Sequence, residues 1–260
     1  MNNITKISIV TVSYNVAGTI EQTISSVVNQ TYENIEYIII DGDSTDGTVD
    51  IIRKYEDRIA YWVSEPDKGI YDAMNKGIDV ATGDYIYFLG ADDRLMDSKI
   101  ISTVIDDITP EIDMFSAPVI MVDYENNLQC IFNNIDNPTM PHQGFLIKCD
   151  IAKKYKFDLT YRCAADREFI LKCVRNNLHM KKVNYPLAYY AVGGFSTNNP
   201  VAYQEWSRLC REYCLDDKYI PINPHRISEI IKSTVKKLAK YIGMYSWMMC
   251  KFSVWTEYKK

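Results

Sequence analysis

The first 100 residues alternate between apolar runs and segments with helical spacing, and this alternation restricts the possible folds more than any other feature. Near-continuous apolar runs, typical of buried strands, cover residues 7–12, 35–40, 59–63 and 85–89. Apolar residues recur at helical intervals between these runs, over residues 17–30, 48–55 and 70–81. This repeat predicts crossover connections, and therefore an α/β fold with a mostly parallel central sheet flanked by helices.

Beyond residue 101 the alternation is less regular. The elements predicted there are a helix over residues 165–176 and strands within residues 113–122, 128–132, 180–183 and 188–192. Residues 227–255 have the spacing of one long helix. The pattern therefore predicts mixed elements in the second half of the chain, followed by a C-terminal helical extension.

Acidic residues follow three of the four predicted strands in the first 100 residues. These are Asp41, Asp67 and Asp92. Because the carboxyl ends of parallel strands form the edge at which ligands bind, we expect these side chains to face one crevice. Carboxylates that converge in this way repel one another unless a cation or hydrogen-bond donors lie between them. A binding site at this edge is therefore predicted.

Asp92 and Asp93 form the strongest local signal, because they come directly after the apolar run at 85–89. Adjacent carboxylates at a strand end are suited to a hard cation such as Mn²⁺ or Mg²⁺. Such a cation bridges phosphate oxygens and neutralises a departing diphosphate. The alternative is a solvated turn that caps the next helix. With Asp41 one strand away, we favour the metal site.

Tyr14 and Asp41 are candidates for binding a planar base. Tyr14 follows the first strand, where its ring is expected to stack on the base, although a position in the core is the alternative. Asp41 is expected to accept a hydrogen bond from a base N–H. Ser44 and Asp46, in the same loop, are expected to shape the turn and to cap the next helix.

Charge and motif content exclude several other classes. The net charge is −5, although residues 225–260 contain eight Lys or Arg and only two Glu, so the rest of the chain is acidic and nucleic acid is not expected as a partner. The seven scattered cysteines and an N-terminus without a signal-peptide pattern predict a cytoplasmic protein. The G-x-G-x-x-G and G-x-S-x-G motifs are absent, which disfavours nicotinamide binding and serine nucleophiles.

Four segments in the first 100 residues resemble glycosyltransferase family 2, whose members have the GT-A fold. They are SIVTVSYN, IIIDGDSTDGT, EPDKGIYDAMNKGI and ATGDYIYFLGADD. Their order and spacing together are far more specific than any one motif. The later segments PHQGFLIKCD, YRCAADREF and GGFST resemble more loosely the bacterial subgroup that builds O-antigen and exopolysaccharide chains. The resemblance implies an inverting transfer of sugar from a nucleotide-sugar donor, with a UDP-sugar favoured.

The resemblance also implies roles for individual residues. Tyr14 and Asp41 match the residues that hold the nucleotide base, and Ser13 is assigned to the same nucleotide-sugar site. Asp92 and Asp93 match the D-x-D-type motif that meets the ribose, the diphosphate and the metal ion.

Two positions depart from the family pattern. The first acid of D-x-D is replaced by Gly90 or Ala91, depending on the alignment. Met74 stands where many relatives have an arginine, so we expect Lys68 or Lys76 to make the diphosphate contact instead.

Asp166 matches the family's catalytic base, which accepts the proton of the acceptor hydroxyl as that oxygen attacks the anomeric carbon. Glu168 is the second candidate. Two residues apart on one helix, these side chains face different sides, so only one can point into the site. The alternative for Asp166 is a structural ion pair with Arg162 or Arg167. A single displacement inverts the configuration without a covalent intermediate.

The residue pattern and the resemblance together predict the domain organisation and the partners. Residues 1–224 are expected to form the catalytic domain, with a nucleotide-binding half (1–100) and an acceptor-binding half (101–224). The acceptor is expected to be a lipid-linked saccharide. His142, in the predicted loop PHQG, is a candidate for contact with the acceptor or the diphosphate, and a structural role is the alternative. Residues 225–260 form a basic amphipathic tail that is expected either to lie on the inner face of the cell membrane or to pack on the catalytic domain.

Two other functional classes are weighed against the transferase. A nucleotidyltransferase also uses an α/β sheet with acidic metal sites, but residues 12–18 lack the basic residues expected of its phosphate loop. A non-catalytic nucleotide-sugar binder is disfavoured because both Asp93 and Asp166 are present.

Overall fold

A seven-stranded sheet organises the computed structural model, which describes residues 5–123, 128–132, 141–193, 199–215 and 255–256. The strands are β1 (Ile7–Ser13), β2 (Ile35–Asp41), β3 (Tyr61–Ser64), β4 (Tyr85–Gly90), β5 (Arg94–Leu95), β6 (Met114–Ser116), β7 (Val119–Asp123), β8 (Leu128–Phe132), β9 (Phe145–Lys148), β10 (Met180–Lys182), β11 (Ala188–Ala191) and β12 (Trp255–Thr256). The helices are α1 (Ile20–Val28), α2 (Thr48–Arg53), α3 (Ile70–Val80), α4 (Ile100–Asp107), α5 (Cys149–Tyr155), α6 (Ala165–Arg175) and α7 (Pro200–Glu212).

The central sheet has the strand order β10-β6-β9-β4-β1-β2-β3. Strand β1 is parallel to β2 and β4, and β2 is parallel to β3, so the predicted parallel sheet is confirmed. Strand β9 is inserted antiparallel between β4 and β6. A smaller sheet, with the order β12-β8-β7-β11-β5, was not predicted. The large sheet therefore takes strands from both predicted halves of the catalytic domain.

The sheet separates two hydrophobic cores, because the inner strands are buried on both faces. Val10, Ile38 and Ile86 pack on the side of α3 and α6, whereas Ile9, Ile39 and Tyr87 pack on the side of α1 and α4. Helix α3 lies very close to β1: a Cβ atom at Gly77 would be 2.5 Å from Cγ1 of Val10. This contact explains why a glycine occupies the middle of an otherwise regular helix.

Most predicted elements exist, and their boundaries shift by up to three residues. The predicted run 113–122 was wrong as a single strand and splits into β6 in the large sheet and β7 in the small one. Pro118 lies at the break, and proline lacks the N–H that a sheet ladder requires. The predicted helix 227–255 lies outside the described residues, apart from Trp255, which begins β12. No helix in the described residues is long and apolar enough to cross a membrane.

The buried residue Glu36 connects several segments by hydrogen bonds at the edge of the sheet opposite the strand-end acids. The Glu36 carboxylate accepts hydrogen bonds from Lys6 Nζ (2.7 Å), Ser8 Oγ (2.6 Å), Thr82 N (2.7 Å) and Thr82 Oγ1. Burial alone raises the pKa of Glu36, but these donors outweigh it and lower the pKa to about 2.

We expect Glu36→Gln to reduce the free energy of unfolding by about 1–3 kcal/mol at pH 7, because an amide N–H₂ then faces a donor. The folded-state pKa of Glu36 is below its usual value of 4.5, so its contribution is present above pH 4.5 and is lost as the pH falls towards 2. Urea denaturation should therefore show a smaller difference in the free energy of unfolding between the variant and the wild type at pH 3 than at pH 7. Glu33→Gln, on an exposed side chain, is the control.

Candidate active site

The carboxyl ends of β3, β2, β1 and β4 lie side by side and carry the predicted site residues. In register, Ser13 of β1 pairs with Asp41 of β2, which pairs with Ser64 of β3. Gly90, at the end of β4, pairs with Val12 on the other side of β1. The predicted edge is therefore formed, because parallel strands end together.

Asp41 lies at the centre of this edge, and its carboxylate is already bonded by the protein. It is 0% exposed. Its Oδ1 atom accepts from Ser13 Oγ (2.8 Å) and Ser44 Oγ (2.6 Å), and its Oδ2 atom from Ser44 N (2.9 Å) and Ser64 Oγ (2.7 Å). Four donors match the four acceptor positions of a carboxylate. In this arrangement Asp41 and Ser13 shape the loop.

Tyr14 is the exposed aromatic ring of this edge, with 65% of its surface accessible. The alternative of a core tyrosine is therefore wrong. A Cβ atom at Gly42 would lie 3.4 Å from Cδ2 of Tyr14 and 2.6 Å from Oδ2 of Asp67. Tyr14 and Asp67 thus both lie against the buried backbone of Gly42, with the Tyr14 ring exposed and the Asp67 side chain partly exposed.

Asp92 and Asp93 follow β4 but have different surroundings. Asp93 is 2% exposed, and it accepts from Ala191 N (2.9 Å), Gln143 Nε2 (2.6 Å) and Gly90 N (3.2 Å). Asp92 is partly exposed, and within the described residues no other residue donates a hydrogen bond to its carboxylate. Asp93 therefore connects β4 to β11 and to the loop before β9, while the Asp92 oxygens remain available.

Electrostatics distinguish this pair from ordinary surface carboxylates. Burial raises the pKa of Asp92. Burial and the neighbouring Asp92 charge raise the pKa of Asp93 to about 7, against the opposing effect of its donors. His142 lies near enough to lower the pKa of both aspartates. Within the described residues no cluster of three or more metal-ligating side chains occurs, so a cation here would need ligands from a bound substrate or water.

Asp166, at the start of α6, points into the same region. Its Oδ1 atom accepts from Tyr71 Oη (3.0 Å) and Arg167 N (2.8 Å), and its Oδ2 atom lies 3.3 Å from His142 Nδ1. Burial raises the pKa of Asp166, but the contacts from His142 and Arg167 outweigh it, and the net direction is downwards. Asp166 is therefore held as an anion between α3 and the loop before β9.

Glu168 faces away from this region, as expected for residues two positions apart on a helix. It accepts from Tyr213 Oη (2.9 Å) and pairs with Lys172 at 3.1 Å. The guanidinium of Arg167 lies 4.9 Å from the ring centre of Trp206. Within the described residues neither Arg162 nor Arg167 forms a side-chain ion pair with Asp166.

The basic residues considered for the diphosphate occupy different positions. Met74 is 1% exposed in the core, so its side chain contributes nothing to the site. Lys76 is bonded to Glu65 (2.7 Å) and to the Pro66 carbonyl (3.1 Å). Lys68 is exposed, and its ammonium group forms no ion pair within the described residues, so it is the more available of the two lysines.

Two contacts of the site were not predicted from the sequence. Tyr71 reaches Asp166 across 95 positions of the chain, and Gln143 reaches Asp93 across 50. Both residues belong to motifs quoted above: Tyr71 follows Ile70 in EPDKGIYDAMNKGI, and Gln143 follows His142 in PHQG. The motifs therefore mark both segments as parts of the site, but neither motif indicates which carboxylate its side chain contacts.

The chain matches a known protein family. The sequence profile described as "Glycosyl transferase family 2" matches residues 8–138, just over half of the chain. This range includes β1 from its second residue, the whole of β2 to β4, and the acids at the strand ends.

Two of three individual relatives are similar over about two thirds of the chain or more, and the third over about one third. An uncharacterised glycosyltransferase of Mycobacterium tuberculosis is 33% identical over 183 residues, which cover 66% of this chain and 70% of the relative. A PGL/p-HBAD biosynthesis glycosyltransferase of Mycobacterium bovis is 29% identical over 201 residues, covering 73% and 78%. A putative teichuronic acid biosynthesis glycosyltransferase of Bacillus subtilis is 40% identical over 97 residues, covering 36% and 38%.

Solved structures share the fold. S. aureus TarS 1–349 in complex with UDP-GlcNAc has a TM-score of 0.68 and 18% identity, covering 81% of this chain and 66% of that one. A mannosyltransferase from Pyrobaculum calidifontis in complex with GDP-Man and Mn²⁺ has a TM-score of 0.67 and 18% identity, covering 83% and 66%. Together with the family match, this architecture identifies the chain as a member of glycosyltransferase family 2, a glycosyltransferase with the GT-A fold.

Proposed function

We propose that this glycosyltransferase moves a sugar, with inversion, from a nucleoside-diphosphate sugar to a hydroxyl of a lipid-linked saccharide in cell-surface polysaccharide synthesis. The observation that carries the proposal is the anionic Asp166 beside the Asp92–Asp93 end of β4. A base and a leaving-group site must face each other across the anomeric carbon. His142 lies 3.3 Å from Asp166 and near enough to Asp92 and Asp93 to lower the pKa of both, so the carboxylates that would serve these two roles lie around one histidine.

In the proposed mechanism Asp166 acts as the general base. Tyr71 and His142 orient its carboxylate, and the lowered pKa keeps it ionised at neutral pH. The carboxylate accepts the proton of the acceptor hydroxyl as that oxygen attacks the anomeric carbon from the face opposite the diphosphate. One displacement inverts the configuration, and no protein nucleophile is required.

The residues at the end of β4 fit a divalent cation that arrives with the donor. Asp92 supplies free carboxylate oxygens, and Mg²⁺-like ions are commonly held by one or two carboxylates together with substrate phosphates. Burial raises the pKa of Asp92 and of Asp93, so their charged forms are disfavoured unless a cation accompanies them. Mn²⁺ or Mg²⁺ bound at Asp92 would stabilise the negative charge of the departing nucleoside diphosphate.

The remaining predicted residues are assigned around the donor. Tyr14 stacks on the base, and Lys68 provides the positive charge for the diphosphate that Met74 does not. The buried Nε2 atom of His142 has no hydrogen-bond partner in the described residues, which supports a contact with the diphosphate or the acceptor.

The donor and acceptor classes rest on similarity to other proteins. The TarS structure contains UDP-GlcNAc, and the Pyrobaculum enzyme contains GDP-Man and Mn²⁺. The names of the mycobacterial and Bacillus relatives refer to the biosynthesis of PGL/p-HBAD and of teichuronic acid. These similarities support a nucleotide-sugar donor, with UDP favoured, and a cell-surface product.

The proposed function is tested with purified full-length protein and Mn²⁺ against a panel of nucleotide sugars, each with a lipid-linked saccharide acceptor. We expect acceptor-dependent release of nucleoside diphosphate for one donor, and a product whose anomeric configuration, measured by NMR, is opposite to that of the donor. Retention of configuration would contradict the single-displacement mechanism.

We also propose that residues 225–260, which lie outside the described residues except for 255–256, bring the enzyme to the cytoplasmic face of the membrane. Their excess of Lys and Arg favours an anionic surface, at about 1 kcal/mol for each basic residue near it. We expect full-length protein to sediment with anionic liposomes and to be released by salt, whereas a version ending at Pro224 should remain in solution. Equal sedimentation of both versions would mean that the tail does not bind lipid.

A further inference from the structure

We propose that Asp67, rather than Asp41, recognises the donor base, and that it makes the site selective for bases with a ring N–H, uracil or guanine, over cytosine and adenine. This inference rests on the proposed nucleotide-sugar donor and names the chemical class of its base.

Asp41, the predicted base ligand, already has all of its hydrogen-bond partners within the protein. All four acceptor positions of the Asp41 carboxylate take donors from Ser13, Ser44 and Ser64, and the side chain is fully buried. For Asp41 to accept a base N–H, one of these donors would have to give up its bond to a carboxylate that has no exposed surface, which is costly. Asp41 therefore acts by holding the loop that carries Gly42.

Asp67 lies close to the exposed ring of Tyr14, because both side chains adjoin Gly42. A Cβ atom at Gly42 would meet both side chains, Oδ2 of Asp67 at 2.6 Å and Cδ2 of Tyr14 at 3.4 Å. The missing side chain of Gly42 thus leaves the space that the Asp67 carboxylate fills. A base stacked on Tyr14 would have this carboxylate at its edge.

The two oxygens of the Asp67 carboxylate have different surroundings. Its Oδ1 atom accepts from Gly69 N at 2.7 Å, which holds the side chain in a turn. Within the described residues no donor reaches Oδ2, the atom next to Gly42. One oxygen therefore fixes the orientation of the carboxylate, and the other is left as an acceptor beside the stacking surface.

Base selectivity follows from this acceptor. An ionised carboxylate only accepts hydrogen bonds. Uracil N3–H and guanine N1–H donate to it, whereas the corresponding ring nitrogens of cytosine and adenine present a lone pair that it repels. A site that hydrogen-bonds a particular N–H strongly rejects analogues lacking it, because the buried partner is left unpaired.

The test measures the Kd of UDP, GDP, CDP and ADP by isothermal titration calorimetry with Mn²⁺, for the wild type and Asp67→Asn. We expect the wild type to bind UDP or GDP, and the four arms show which of the two bases is used. In Asp67→Asn, affinity for that nucleotide should fall about tenfold or more, while CDP should bind more tightly, because an amide N–H₂ donates to cytosine N3. Asp57→Asn, an exposed carboxylate in the turn Glu56–Arg58, is the matched control.

Gly42→Ala provides a second variant, because its methyl group would displace Asp67 Oδ2, the far end of a flexible side chain. It should weaken UDP or GDP binding as well, and adding it to Asp67→Asn should have little further effect, since both changes remove one contact. Unchanged base preference in Asp67→Asn, or equal binding of all four nucleotides by the wild type, would overturn the role of Asp67. If the wild type binds none of the four, the proposed donor class itself fails.

Discussion

Asp166→Asn is expected to lower kcat by about 10²–10⁴-fold and to leave the Kd of the donor nearly unchanged, because general base catalysis contributes a factor of this size. An amide keeps the shape of the side chain and its acceptance of the Tyr71 and Arg167 hydrogen bonds, but it cannot take up a proton. Single-turnover kinetics with saturating donor and acceptor would measure the step directly.

Glu168→Gln is the matched control for this experiment, since it makes the same chemical change on the same helix. Its carboxylate binds Tyr213 and Lys172, so we expect lower thermal stability with kcat within a few-fold of wild type. If Asp166→Asn retains wild-type turnover while Glu168→Gln loses it, the two roles are reversed. Because the pKa of Asp166 lies below its usual value of 3.8, the acid limb of the rate profile attributable to this base should lie below pH 3.8.

Removal of the divalent cation is expected to lower turnover by at least about 100-fold, and Asp92→Asn should do the same in the presence of Mn²⁺. The reason is that the diphosphate leaves with negative charge, which Lewis-acid contacts stabilise by several kcal/mol. Turnover should be measured after EDTA treatment and again after Mn²⁺ or Mg²⁺ is restored. Wild type should recover on restoration, and Asp92→Asn should not.

The variant Asp93→Asn tests whether Asp93 is a metal ligand or a carboxylate with a structural role. Asp93 accepts hydrogen bonds from Gln143, Ala191 and Gly90, so an amide there would place N–H₂ against a donor. We therefore expect its main effect to be a lower melting temperature. Full stability of Asp93→Asn, combined with a loss of Mn²⁺ binding measured by electron paramagnetic resonance, would instead return Asp93 to the metal site.

Much of the fold was predictable because its signals are local. Apolar runs located β1, β2, β3 and β4, and helical spacing located α1, α2 and α3, to within three residues. The antiparallel insertion of β9 was not predictable, since strand order depends on which edges meet after a long connection. The smaller sheet was missed for the same reason, because its strands β5, β7 and β11 are separated by other elements in the chain.

The candidate site, like the fold, has features that the sequence predicts and features that it does not. The sequence places acids at or just after the ends of β2, β3 and β4, and parallel strands then bring those acids to one edge. What each carboxylate faces depends on the folded chain: Asp41 is enclosed by serines from β1, from β3 and from the loop after β2, while Asp67 lies beside Tyr14 at Gly42. Hydrogen-bond donors that approach from distant parts of the chain leave no local pattern, so burial and free acceptor positions become visible only once the chain has folded.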